Sequence, residues 1–221
     1  MRSVAEVARE MEVSPERVRQ LIASGFLPAV RVGGRWVIED VEVVRHPEGR
    51  PWSEAAAWGL LWVAVGRPAA WLSVKQRQRV RLRLADSVEV HVERLSTRSR
   101  SSWLRGHPAV LRRLSDDARL VAAGLSAAGS IGADVIANDV VEGYVRVVDA
   151  VELIGEYGLE PSSAPQGNVH LRVVSEIWPF GEDERVAPAL VVAIDLLEDA
   201  DGRTRRAGRS LLARAQREAP R

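Results

Sequence analysis

Two arginines bracket a glycine pair in Arg31-Val32-Gly33-Gly34-Arg35, and a polar run just upstream carries Ser14, Glu16, Arg17, Arg19 and Gln20. Guanidinium groups bind phosphate oxygens, and Arg and Gln can form paired hydrogen bonds to guanine and adenine edges. These residue types therefore point to nucleic-acid recognition. The remaining chemistry-bearing residues assemble less. His46, His91, His107 and His170 lie far apart with no metal-ligand spacing, and His46 and His107 each precede a proline, which suits turn or helix-entry positions.

Gly129-Ser130 is followed by Asp134, Asp139 and Glu142, the residue types that two-metal nucleotidyl transfer uses. Two ions held together need carboxylates on one strand face, whereas Asp139 and Glu142, three apart, would point to opposite faces. Asp195, Glu198, Asp199 and Asp201 read as the solvated C-terminal face of a helix. No GxxxxGK[ST] phosphate loop is present, and the one lysine, Lys75, has no glycine-rich context. There is no cysteine, which excludes disulfides, thiolate metal sites and thiol nucleophiles. No nucleophile, base and oxyanion donor come together. The expectation is a non-enzyme that needs no cofactor and no metal.

The elements that must position the basic residues can be read locally. Ser3 followed by Glu6 is a capping box, and Val4, Val7, Ala8 and Met11 recur at helical spacing. After a break at Glu12-Val13, Ser14 is an N-cap and Pro15 takes the first helical position. Val18, Leu21 and Ile22 form the buried stripe of this second helix, which Gly25 ends. Glu16, Gln20 and Ala23 lie opposite, with Arg17 and Arg19 on the flanks. The Gly33-Gly34 pair suits a two-residue type I′ turn, setting Val32 opposite Arg35, Arg31 opposite Trp36 and Val30 opposite Val37. Trp36 is expected to cover the small core beneath the hairpin.

The stretch "SVAEVAREMEVSPERVRQLIASGFLPAVRVGGRWVIE", residues 3–39, resembles the excisionase-type and MerR-type winged helix-turn-helix domains. The resemblance implies that the second helix enters the major groove while the hairpin wing rests on an adjacent backbone. It thereby implies double-stranded DNA as partner, with Ser14, Glu16, Arg17, Arg19, Gln20, Arg31, Gly33, Gly34 and Arg35 as the contact residues.

Charge is unevenly spread along the 221 residues. Residues 1–50 balance at eight basic and eight acidic. Residues 67–113 hold twelve basic against three acidic, a local net of +9, and residues 114–221 hold eleven against eighteen, a net of −7. Such asymmetry fits polyanion binding by the basic part or mutual neutralisation of the two segments. "RHPEGRPWS", residues 45–53, reads as a junction. Beyond it come a helix capped by Ser53 with Trp58, Leu61, Trp62 and Val65 as a core stripe, a helix opened by Ser73 (with a strand as the alternative for 79–84), and a helix over about 88–104.

From His107 onward, helices and β-branched strand patterns interleave. "ARLVAAG" reads as a buried strand, "NVHLRVV" as an alternating strand, and the end of the chain as one long helix or two broken at Asp201-Gly202. The expected fold class is α+β: a winged helix-turn-helix over 1–46, a linker and helical basic segment over 47–106, and a mixed α/β domain for protein interaction over 107–221. "RLVAAGLSAAGSIGAD", "GNVHLRVV" and "VVAIDLLEDADGRTRRAGRSLL" resemble AbiEi-type antitoxins. That resemblance implies repression of a toxin–antitoxin operon and neutralisation of a cognate nucleotidyltransferase-like toxin. A stand-alone regulator with a ligand-sensing or assembly domain is the alternative, and a homo-oligomer on DNA is left open. The N-terminus is unlike a signal peptide and no apolar run spans a bilayer, so a cytoplasmic location without membrane contact is expected.

Overall fold

A computed structural model describes residues 2–10, 14–23, 29–33, 35–38, 52–84, 88–135, 139–164 and 166–218. The chain divides into two compact units, Met1–Gly49 and Arg50–Arg221.

In the first unit, β1 (Arg2–Ser3) leads into α1 (Val4–Glu10), succeeded by α2 (Pro15–Ala23), β2 (Ala29–Val32) and β3 (Arg35–Ile38). The Ser3–Glu6 capping box forms: the Ser3 N–H donates to Glu6 Oε2 at 2.7 Å and the Glu6 N–H to Ser3 Oγ at 3.3 Å. Val7, Ala8, Val18, Ile22 and Ile38 make the small core, with Trp36 packed at its edge. β2 and β3 pair antiparallel in the expected register, Arg31 opposite Trp36 and Val32 opposite Arg35. Gly33 carries φ +56°, where a side chain would be strained. One element is not evident from local sequence: β1 adds to the other edge of β3, Ser3 opposite Val37. Met11 and Gly25 lie outside the described residues, as does the side chain of Leu21.

The second unit opens with α3 (Glu54–Ala64) and α4 (Val74–Arg83), and continues through α5 (Val92–Leu95) into β4 (Arg100–Arg105). Next come α6 (Pro108–Ser115), β5 (Val121–Ala122), α7 (Gly124–Ala128), β6 (Val141–Arg146), α8 (Val147–Glu156), β7 (Glu160–Pro161), β8 (Val169–Val174), α9 (Ala189–Leu197) and α10 (Gly202–Glu218). Ser53 caps α3, and Ser73 with Gln76 makes a capping box at the start of α4, so residues 79–83 are helix rather than strand. The five strands run in the order β5-β6-β8-β4-β7; β6 and β8 are parallel and the other pairs antiparallel.

Alternation along the strands divides the second unit's interior into two layers. Leu104, Val141, Val145, Val169 and Leu171 meet Leu114 of α6 and Leu153 of α8 on one face. On the other, Tyr144 meets Trp58 of α3, with ring centroids 5.0 Å apart, inside a core that also takes in Val192 and Ile194 of α9. Trp58, Leu61 and Trp62 are core residues as expected. α3 and α4 thus share a core with the sheet and with α9, rather than forming a separate segment. α9 and α10 are two helices that cross closely at Gly208, where a Cβ would lie 3.0 Å from the Ala193 carbonyl. The expected helix over 88–104 is corrected: only Val92–Leu95 is α-helical, and 100–105 is a strand paired with β8. The expected strand over "ARLVAAG" shrinks to Val121–Ala122.

Candidate nucleic-acid interface

Pro15 starts α2 just after Ser14, whose carbonyl accepts the Val18 N–H at 3.2 Å. Val18 and Ile22 are buried, which fixes the helix by its apolar stripe. Ser14, Pro15, Glu16 and Arg19 are exposed. Arg19 Nη1 donates to Glu16 Oε2 at 2.7 Å, with 54% and 70% of the two side chains exposed. An exposed pair of this kind contributes about 0–1 kcal/mol, so a phosphate can take Arg19 from Glu16 at little cost. Arg17 and Gln20 occupy helical positions in α2, and their side chains lie outside the described residues.

The hairpin places its arginines by register. The exposed Arg31 stacks on Trp36, its Cζ 5.3 Å from the ring centroid, so the indole at the edge of the small core also steadies the guanidinium. Arg35 begins β3 directly across from Val32; its side chain, and Gly34, lie outside the described residues.

Residues 3–50 match the model of a helix-turn-helix domain. The N-terminal unit carries a helix-turn-helix domain. Such a domain suggests DNA binding, with α2 and the β2–β3 hairpin as the elements that hold the residues expected to contact it. No curated protein and no solved structure matches the chain, so the resemblance of its C-terminal part to AbiEi-type antitoxins stands on sequence alone.

The second unit brings together residues that lie far apart in sequence. Asp195 and Glu198 are not a solvated face. Asp195 is buried, and the fully buried Arg98 donates to Asp195 Oδ1 at 2.6 Å and to Glu198 Oε2 at 2.7 Å. Arg172 bridges Glu198, at 2.8 Å, to Glu142 Oε1, at 2.9 Å from its Nε. Burial would raise the Glu142 pKa, but the Arg172 guanidinium and the His170 hydrogen bond outweigh it and bring it down to about 2. His170 Nδ1 lies 3.0 Å from Glu142 Oε1, and its Nε2 lies 2.6 Å from Ser101 Oγ.

Ser101, His170 and Glu142 thus stand in the order of nucleophile, base and orienting carboxylate. The carboxylate is shared, however: Arg172 also binds it, and the Leu125 N–H donates to Glu142 Oε2 at 3.0 Å. His170 itself lies flat on Trp103 at 4.2 Å. A carboxylate held by that many partners has the setting of a structural ion network. Strand alternation puts His170 and Arg172 on one face, but only the pairing of β6, β8 and β4 brings them to Glu142 and Ser101. Among the described residues no group of three or more His, Asp or Glu side chains is arranged to hold a metal ion, and no helix is long and apolar enough to cross a membrane.

Proposed function

We propose that this chain is a sequence-specific DNA-binding transcriptional repressor and not an enzyme. The observation that carries the reading is the helix-turn-helix match over residues 3–50, joined to an α2 that buries Val18 and Ile22 and leaves Glu16 and Arg19 exposed. In this reading the first unit is a winged helix-turn-helix: α2 enters the major groove, Arg17 and Gln20 read bases, and the hairpin is the wing on the phosphates. Each good bidentate base contact is worth about 1–3 kcal/mol of discrimination.

Selection of binding sites from a random duplex pool tests the assignment of α2. Gln20→Ala should relax preference at one position of the selected motif and leave the others intact, and Arg17→Ala should do so at another. An unchanged motif from both variants would remove α2 as the reading helix.

The finer proposal is that the chain is the antitoxin of an AbiE-like operon, with the second unit neutralising a nucleotidyltransferase-like toxin. It is supported by the sequence resemblance of residues 119–134, 167–174 and 191–212. Co-expression with the product of an adjacent nucleotidyltransferase-like gene should restore growth that the product alone arrests. Should no such gene adjoin this one, or growth stay arrested, the stand-alone regulator replaces the antitoxin.

A further inference from the structure

The basic and acidic parts of the second unit neutralise each other only in places. Arg67 pairs with Glu184, Arg98 with Asp195 and Glu198, and Arg209 with Glu89. α4 stands outside this exchange. Its ten residues, VKQRQRVRLR, carry Lys75, Arg77, Arg79, Arg81 and Arg83 and no carboxylate. None of these five cations makes an ion pair among the described residues. Helical spacing gathers Lys75, Arg79 and Arg83 into one row, each four residues from the next, while Val80 anchors the helix in the core.

The row ends in a groove of about 480 Å³ whose lining includes Trp52, Ser53, Gln76, Arg79 and Arg83. The Arg83 guanidinium lies 4.3 Å above the buried Trp52 ring, and Arg94 approaches the same ring at 6.0 Å. Burial, and then the charges of Arg94 and Arg79, pull the Arg83 pKa below its ordinary value. Arg79 and Arg83, four residues apart on α4, repel each other, and α4 carries no carboxylate of its own. A bound phosphate would relieve that repulsion.

We propose that the Lys75–Arg79–Arg83 row of α4 and the groove against Trp52 form a second phosphate-binding surface, which holds the backbone of duplex DNA. The inference rests on the DNA-binding reading and extends it: the second unit supplies sequence-independent affinity, while bases are read elsewhere. A duplex backbone is the occupant that the charge favours, because an extended row of cations matches successive phosphates.

The test is a titration of a labelled duplex with the full chain at several salt concentrations, comparing wild type with Arg79→Gln/Arg83→Gln. Each lost phosphate contact should flatten the slope of log affinity against log salt by about 0.9 and weaken binding by roughly tenfold near 0.1 M salt. The double variant should therefore lose up to about two units of slope and bind all duplexes less tightly, with its selected motif unchanged. Thermal melting supplies the folding control. Arg79→Gln relieves like-charge repulsion at an exposed position, so its melting temperature should hold or rise while its DNA affinity falls. A folded double variant with wild-type affinity and slope would overturn the inference and leave the helix-turn-helix reading intact. A wild-type chain that binds no duplex would overturn both.

Discussion

Arg98→Ala is expected to destabilise the second unit by about 3–5 kcal/mol, the usual cost of breaking a buried ion pair from one side. The side chain is fully buried. It donates to Asp195, Glu198, the Tyr144 hydroxyl at 2.7 Å and the Leu95 carbonyl at 2.8 Å. Alanine would leave Asp195 without its nearest cation in the core, and Arg172, 3.6 Å away, replaces it only in part. Urea unfolding monitored by near-ultraviolet circular dichroism measures the loss, because the Trp58 ring lies 5.4 Å from Trp62 and 5.0 Å from Tyr144 beside this network. Arg98→Lys keeps the charge but not the fork of donors, and should fall between wild type and alanine. A loss below about 1 kcal/mol for alanine would mean the network contributes little.

The same network sets the acid limit of the fold. Glu142 has a pKa lowered from 4.5 to about 2, and Glu198 is lowered as well. A folded-state pKa below the unfolded one contributes stability in full above the unfolded value and loses it as pH falls through the folded one. Wild-type stability should therefore drop between about pH 4.5 and pH 2, and Glu142→Gln should start lower and fall less steeply over that range.

What can be read in the sequence is what neighbouring residues decide. The Ser3–Glu6 capping box, the helix starts at Ser53 and Ser73 and the hairpin register at Gly33 all form, since each needs partners only a few residues away. The helical reading of residues 88–104 fails over 100–104 because the partner of that stretch is distant: Ser101 lies opposite Arg172. Asp195 and Glu198 resemble a solvated helix end because nothing near them in sequence carries the guanidinium that buries them; Arg98 does, about a hundred residues earlier. The Ser101–His170–Glu142 chain is hidden for the same reason, being made by three strands side by side.

The candidate interface divides likewise. α2 and the hairpin are legible, and Arg31 meets Trp36 at the register position that the glycine turn dictates. The Glu16–Arg19 pair also fits its spacing on a helix. For α4, spacing puts Lys75, Arg79 and Arg83 in one row and sends Arg77 and Arg81 to other sides of the helix. Only the buried position of Val80 and the place of Trp52 show that Arg79 and Arg83 border one groove.

The salt dependence of Arg31→Ala/Arg35→Ala tests most directly the central claim, that the N-terminal unit holds DNA with its hairpin on the backbone. Phosphate contacts give affinity without sequence information, so the double variant should bind specific and random duplexes more weakly by the same factor. Each contact carries about 0.9 of the slope of log affinity against log salt, so the slope should flatten by up to about two units, with a loss approaching roughly a hundredfold near 0.1 M salt. Arg31 also rests on Trp36, so melting of the variant must accompany the titration, with only a small loss expected from an exposed cation–π contact. A folded double variant with about two units less slope, and a selected motif unchanged, is the predicted result. A folded variant that keeps the full wild-type slope would contradict the account, because the hairpin would then touch no phosphate.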